Sequence, residues 1–403
     1  MGVFDGELGL GGTLDAAAVA RVEQCATVIT RGGLVAFPTE TVYGLGALAL
    51  DEAAVRRVFE VKGRPANNPL IVHVDSLAMA RRFFSARAWE RFGELVEKLA
   101  AAFWPGPLTV VLEKAEGVPG VVTGGGGMVA VRVPAHAMTL ELIKRVGTGI
   151  VGPSANRSGH VSPTSAEHVR GEFGDAVEVL DGGVCVGGIE STVIRVGPGV
   201  DDGVRILRPG LISAAAIAEV VGEGAEVFVG VAKGGGERGG ERERERQHEH
   251  ERETEPGEDL GASAGDGPGA GRGVAMESPG LLSRHYAPRT RAVMAEIQQW
   301  TGVVLAMQAG LGGRAVQAGL LTHSELAASV CSPTPRLVEV LPGDARAYAA
   351  GLYGALRRLD EAGLDVIVVH EPPGAGRTAE ETWVWRAIAD RLSRATEREA
   401  GEG

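Results

Sequence analysis

The sequence predicts an α/β protein made of two α/β units, and three observations carry that prediction. Residues 32–74 run as an apolar strand, a Pro-Thr-Glu-Thr turn, a Tyr-Gly-Leu-Gly loop, an amphipathic helix, a loop and a second apolar strand ending near His73. Such a β-loop-α-loop-β order lets polar loops share one edge of a sheet. Residues 303–394 alternate strand-like runs with helical patterns, a spacing that implies a parallel, Rossmann-like sheet. Between the two, residues 231–275 carry 12 glycines, 11 acidic and 7 basic residues and no aromatic. That composition has no face to bury and reads as a disordered, solvated linker. The expected division is a first domain over 1–230, the linker over 231–275, and a strap with a smaller second domain over 276–403.

Taken in order, 13–31 reads as a helix and 34–37 as a strand, and Asp51 is placed to cap a helix with Val55, Val58 and Phe59 on one face. Residues 79–104 read as one helix, stopped by Trp104-Pro105-Gly106-Pro107. Strands follow at 108–112 and 129–133, then a helix over 138–145. Thr164 and Glu167 stand at capping-box spacing before the next helix. Strands at 177–180, 192–196 and 204–207 precede a helix capped by Ser213. In the second unit, 303–307, 337–341 and 366–369 read as strands, and 345–359 and 379–394 as helices. No GxGxxG opens that unit, which argues against a dinucleotide there.

Bulk properties narrow the function. A chain of 403 residues, 44% hydrophobic, has room for two or three cores. A net charge of -12 excludes wholesale coating of nucleic acid, which needs a basic face, but not a local basic groove. Cys25, Cys185 and Cys331 are scattered, without a CxxC, which suits a reducing compartment. The acidic, glycine-rich start has no apolar signal region, and no apolar run reaches transmembrane length. A soluble, cytoplasmic protein is the expectation. His248 and His250 lie in a charged run with no companion ligand cluster, so no metal site is assigned.

The residues fit for chemistry stand at element ends. No lysine follows a glycine, so no Walker-type loop exists and a nucleotide must be held otherwise. Lys62 and Arg64, two apart past a helix end, suit adjacent phosphate oxygens, Arg64 bidentately. They equally suit the helix C-terminus, although Pro65 and Asn68 fixing the next loop favour a ligand. Gly152-Pro153-Ser154-Ala155-Asn156 falls one residue short of GxSxG, and neither His160 nor His168 sits in a triad context. With Ser158, Ser162 and Thr164 it forms a hydroxyl-and-amide cluster suited to phosphate and sugar oxygens. The glycines at 124–127 read as an anion nest or simply as a flexible turn. Arg132, flanked by valines, needs an anionic partner, either a substrate carboxylate or an internal Asp or Glu. The basic, aromatic and proline-rich 278–288 segment reads as a docking strap between domains or as a ligand-touching one.

These pieces, in this order, resemble the threonylcarbamoyl-AMP synthase family in its long form, with a YrdC-like domain and an added C-terminal domain. The matching residues are the run from Phe37 to Gly46, Lys62-x-Arg64-Pro65, Asn68-Pro69-Leu70, His73, Trp104-Pro105-Gly106-Pro107-Leu108-Thr109 and Val131-Arg132-x-Pro134. Pro153-Ser154-Ala155-Asn156, Glu190-Ser191-Thr192, Arg208-Pro209-Gly210 and His285-Tyr286-Ala287-Pro288 complete the match. The likeness covers nearly all of 13–215 and resumes from Ser278.

The resemblance implies a twisted α/β domain with a concave active-site surface, followed by a smaller Rossmann-like α/β domain. It implies a nucleotidyltransferase that joins L-threonine, bicarbonate and ATP into threonylcarbamoyl-AMP and pyrophosphate. The product would pass to a tRNA threonylcarbamoyl-transferase complex. By resemblance, Thr41, His73, Arg132, the Gly152 backbone and Ser191 hold threonine. Arg64, Asn68, the Met128 backbone, Ser154, Ser162, Arg208 and Tyr286 hold ATP. Lys62 and Arg64 act at the phosphates, and Mg²⁺ accompanies ATP. Two alternatives are an RNA-clamping maturation factor, disfavoured by acidity and few aromatics, and a carbamoyl-phosphate-using relative, whose accessory cysteines are absent.

Overall fold

The computed structural model describes residues 14–197, 203–222, 227–229 and 285–398. The expected linker at 231–275 and the 278–284 part of the strap lie outside the described residues. In the first half, helix α1 (Ala16–Thr30), capped by Asp15, precedes β1 (Val35–Phe37) and β2 (Gly44–Leu48). Helix α2 (Glu52–Lys62) is capped by Asp51, whose carboxylate accepts from the backbone of Ala53 and Ala54, and it ends at a left-handed Gly63. There follow β3 (Ile71–His73), α3 (Leu77–Arg81), α4 (Ala86–Phe103), β4 (Leu108–Glu113), β5 (Met128–Arg132), α5 (Ala137–Val146) and β6 (Ile150–Val151). Helix α6 (Ala166–Phe173), β7 (Glu178–Val179), β8 (Thr192–Val196), β9 (Val204–Arg208), α7 (Ala214–Val221), capped by Ser213, and β10 (Val227–Val229) complete this half.

Among the described residues these strands form one ten-stranded sheet, in the order β10-β9-β8-β4-β5-β3-β6-β2-β1-β7. Strand alternation divides its faces. Val72, Val110 and Val131 join the large core with α1, α2 and α4. Ile71, Val111 and Ala130 turn to the opposite face in a small cluster with Val193 and Leu207. Burying each large apolar side chain contributes about 1.5–3 kcal/mol. The main core therefore anchors the sheet while the second face is left to other work.

The second half contains β11 (Ala292–Ala295), α8 (Trp300–Gly310), β12 (Ala318–Thr322), α9 (Ala327–Val330), β13 (Leu337–Val340), α10 (Ala345–Glu361), β14 (Val366–His370), α11 (Ala379–Ala395) and β15 (Glu397–Arg398). Its strands pair only in parallel, in the order β13-β12-β14-β11-β15, the Rossmann-like arrangement expected.

Four local readings are corrected. The apolar run at 303–307 lies in helix α8, not in a strand, because a short apolar run does not distinguish the two. The real strands β11 and β12 carry one β-branched residue each, Val293 and Thr322, among Ala, Gly, Met and Leu. The expected helix 79–104 is two helices, and Ser85 caps the second. The Tyr-Gly-Leu-Gly loop begins β2, where the Phe37 ring packs over Gly44 and Gly46. Ser165, not Thr164, caps α6, while the Thr164 amide donates to His168 Nδ1 at 3.2 Å.

The halves pack directly on one another. Tyr348, Leu352 and Leu356 of α10 share a core with Val42, Val161, Ile189 and Leu211 of the first half. Trp383 Nε1 donates to the Gly210 carbonyl at 2.9 Å. Gly188 has φ +69, and a Cβ there would lie 2.2 Å from the Ala349 carbonyl oxygen on α10. Among the described residues no helix is long and apolar enough to cross a membrane.

Candidate active site

A cleft crosses the face of the first sheet turned away from the large core. Alternation in β3 and β5 points His73 and Arg132 to the same face as Ile71 and Ala130. The β1–β2 turn supplies Thr39 and Thr41, the turn after α2 supplies Arg64, and the segment after β6 supplies Gly152, Pro153 and Ser154. Glu190 and Ser191 enter from ahead of β8, Arg208 from the end of β9, and His285 and Tyr286 from the strap. Of the residues expected at a site, Thr41, Arg64, His73, Arg132, Gly152, Ser154, Ser191, Arg208 and Tyr286 thus meet in one place.

Arg132 is held on three sides. Its Nη2 lies 2.7 Å from Glu40 Oε1, Nη1 donates to Thr41 Oγ1 at 3.0 Å, and Nε donates to the Gly106 carbonyl at 3.1 Å. The internal carboxylate considered as its partner is therefore Glu40. Thr41 Oγ1 is also 2.8 Å from Thr39 Oγ1, which steadies the turn. His73 is buried edge-on to the Phe37 ring. Burial and the nearby Arg132 charge push its imidazole well below the ordinary range, so it is neutral near pH 7. Among the described residues its Nδ1 finds no hydrogen-bond partner. Gly152 makes room for it, since a Cβ there would lie 2.6 Å from that nitrogen.

Arg64 is 8% exposed and anchored from behind. Its Nη2 donates to Asn68 Oδ1 at 2.7 Å and to the Pro69 carbonyl at 2.8 Å, and Nε donates to the Asn68 carbonyl at 3.1 Å. Burial lowers its guanidinium to about 10, still charged at neutral pH. Arg208 donates through Nη2 to the Ser191 carbonyl at 3.0 Å and to Ser191 Oγ at 3.1 Å, while Ser191 Oγ is 2.8 Å from Thr109 Oγ1. Tyr286 is 1% exposed with a φ of 63°, and among the described residues its hydroxyl finds no hydrogen-bond partner.

Three expected residues stand behind the cleft instead of on it, and a fourth, Met128, lies on the cleft face of the sheet but outside the lining. Gly63 turns Lys62 away from Arg64, and the Lys62 Nζ donates to the carbonyls of Ser154 and Asn156, tying the post-β6 segment to α2. Burial, then the Arg64 charge, pushes that amine well below the usual lysine range. Asn68 braces Arg64, and Ser162 Oγ donates to Glu190 Oε1 at 2.7 Å. Met128 opens β5 opposite Glu113, clear of the cleft lining.

Sequence reasoning gave no role to Glu40, Glu190 or Thr39, although each lay within a quoted motif. The available signal was a carboxylate set among hydroxyl residues beside a buried arginine. Glu190 lines the cleft and is engaged by Ser162, Tyr353 and Arg391, while Glu40, behind the lining, is ion-paired with Arg132.

Comparisons with known proteins find relatives of both halves of the chain. A family model described as telomere recombination matches residues 27–210, and the threonylcarbamoyl-AMP synthase C-terminal domain matches residues 212–396. A protein of Bacillus subtilis (strain 168), named threonylcarbamoyl-AMP synthase, is 34% identical over 384 residues, covering 93% of this chain and 92% of that protein. The protein of that name from Pyrococcus abyssi is 50% identical over 206 residues, 50% of this chain and 58% of that protein. The crystal structure of P. abyssi Sua5 complexed with L-threonine superimposes with a TM-score of 0.70 at 32% identity, covering 96% of this chain and 98% of that one. With both halves matched and aligned along almost their whole length, the chain belongs to the threonylcarbamoyl-AMP synthase family.

Proposed function

We propose that this cleft joins L-threonine, carbon dioxide or bicarbonate, and ATP into threonylcarbamoyl-AMP and pyrophosphate. One observation carries the reading: three buried guanidinium groups, Arg64, Arg132 and Arg208, converge with neutral His73 and the hydroxyls of Thr41, Ser154 and Ser191. Guanidinium forks suit carboxylate and phosphate oxygens. Arg132, Thr41, His73 and Ser191 form the amino-acid end, where Arg132 takes the threonine carboxylate. A neutral imidazole does not repel the substrate amine, and its free Nδ1 accepts one of the amine's N–H groups. Arg64, Ser154, Arg208 and Tyr286 form the nucleotide end. Asn68, Ser162 and Lys62 support it from behind.

The threonine amine adds to the carbon of carbon dioxide and loses a proton to solvent, giving a carbamate; from bicarbonate, that proton leaves with the displaced hydroxide as water. A carbamate oxygen then attacks the α-phosphorus, and the bond to the β-phosphate oxygen breaks, releasing pyrophosphate. Carbamate is short-lived in water, so alignment, charge neutralisation and exclusion of water matter more than a strong base. The described residues contain no group of three or more His, Cys, Asp or Glu placed to hold a metal ion, and Glu40 and Glu190 are already paired. Mg²⁺ therefore fits as part of the substrate, carried on ATP phosphates.

An RNA-binding factor is the weaker reading, because Arg64, Arg132 and Arg208 are each under a tenth exposed and suit an enclosed small anion better than an RNA backbone. The product would pass to a tRNA-modifying threonylcarbamoyl transferase. Three buried, unpaired cysteines support a reducing, cytoplasmic setting. The test is pyrophosphate release. It is expected only with threonine, bicarbonate and ATP together, and equal ATP turnover without threonine overturns the reading.

A further inference from the structure

Glu190 lines the cleft, yet its carboxylate is held by the other half of the chain. Tyr353 Oη, from α10, donates to Glu190 Oε2 at 3.0 Å, and Arg391 Nε, from α11, donates to the same oxygen at 3.2 Å. Arg391 Nη2 donates to the Glu190 backbone carbonyl at 3.2 Å, and Nη1 to the Pro209 carbonyl. On the cleft side, Arg208 binds the next carbonyl, that of Ser191. Two arginines from different halves thus grip consecutive peptide units, and Glu190 is the buried anion between them. The same two residues reach the strap, with the Arg391 guanidinium 5.9 Å over the Tyr286 ring and the Tyr353 ring stacked 5.8 Å from it. Arg391 and Tyr353 are both 0% exposed, so water does not substitute for either.

Breaking a buried pair leaves an uncompensated charge that seeks another partner. Without Arg391, the nearby cation for Glu190 is Arg208, which already senses its charge, and Arg208 would turn from a ligand phosphate to the carboxylate.

We propose that Arg391 and Tyr353 are positioning residues supplied to the active site by the C-terminal half, which hold Glu190 so that Arg208 and Tyr286 stay directed at the nucleotide. The inference rests on the proposed reaction only for the identity of that ligand. Its distinctive consequence is a defect in nucleotide affinity that arises from Glu190 and is therefore relieved by removing its charge.

The full chain is compared with Arg391→Met, Arg391→Lys, Tyr353→Phe and the double variant Glu190→Gln/Arg391→Met. Folding is followed by circular dichroism, ATP affinity by calorimetry without threonine, and kcat and KM by pyrophosphate release. Arg391→Met is expected to weaken ATP binding and raise the ATP KM together, by about tenfold, with kcat changed less than about threefold. The added Glu190→Gln restores most of the affinity, a coupling expected of neighbours in one network. Tyr353→Phe and Arg391→Lys shift affinity the same way by about threefold. A folded Arg391→Met chain with unchanged ATP affinity, or one not rescued by Glu190→Gln, overturns the proposal. If Arg391→Met does not fold, unchanged affinity in both milder variants overturns it. A parent chain that binds no ATP overturns the substrate reading instead, and the same comparison is then made with inorganic pyrophosphate as the anion.

Discussion

Glu40 and Arg132 meet just behind the cleft lining with Nη2 2.7 Å from Oε1, at side-chain exposures of 2% and 4%. Removing one member of such a buried pair typically costs about 3–5 kcal/mol. Glu40→Gln is accordingly expected to lower stability by about 3 kcal/mol and to raise the threonine KM more than it lowers kcat. Urea denaturation read beside threonine titrations checks both parts. Unchanged stability together with unchanged KM would show that Thr41 and the Gly106 carbonyl suffice to aim Arg132.

Arg64→Ala is expected to lower kcat/KM by about 10²–10³, the effect of losing one well-placed charged donor. The variant also leaves Asn68 Oδ1 and the Pro69 carbonyl without the donor that now serves them, so stability falls by about 1–3 kcal/mol. Asn68→Ala should show a smaller rate loss through the same anchor. Steady-state kinetics and thermal melts of the two variants separate bracing from contact.

Tyr286→Ala should weaken ATP binding and increase unproductive ATP hydrolysis while leaving threonine affinity without nucleotide near normal. The ring lines the cleft, and its loss opens space to water there. Phosphate release measured beside pyrophosphate release distinguishes the two fates of ATP. Tyr286→Phe keeps the ring and removes only the unpartnered hydroxyl, so it should fall between parent and Ala.

Acid should destabilise the protein well before its carboxylates protonate. Burial holds His73 and His285 well below 6.5 and His168 down at about 4. These rings are neutral when folded and take up protons when unfolded. Their depressed values favour the folded state fully above the ordinary pKa of 6.5, and stability is lost as pH falls below it. Each such group steepens the loss by up to about 1.4 kcal/mol per pH unit where it is protonated only in the unfolded chain. Melting temperatures across pH 5–7 measure this, and a flat profile would show that the rings are protonated in the folded state.

The sequence showed most of what touches the cleft and little of what holds it. Thr41, Arg64, His73, Arg132, Ser154, Ser191 and Arg208 were legible because each stands at an element end in a short polar motif, and local spacing records that. Glu40 and Glu190 lay inside such motifs, but their partners come from distant segments. Tyr353 and Arg391 were not legible at all. They lie inside helices α10 and α11, with nothing local to mark them, and meet Glu190 only because the second half docks on the first. The fold was missed where propensity and tertiary context disagree: the glycines of β2 found their place under Phe37, and the apolar run of α8 satisfied either secondary structure.

Gly188 gives the joint between the halves its tolerance. With φ +69 and the α10 backbone only 2.2 Å from where a Cβ would sit, any side chain there acts as a wedge against peptide groups that have no rotamer through which to yield. The spacing between the loop that carries Glu190 and the helix that carries Tyr353 is thus set by main chain on main chain. Such a joint behaves less like a hinge than like a weld, and whatever movement the enzyme needs must be found elsewhere along the chain.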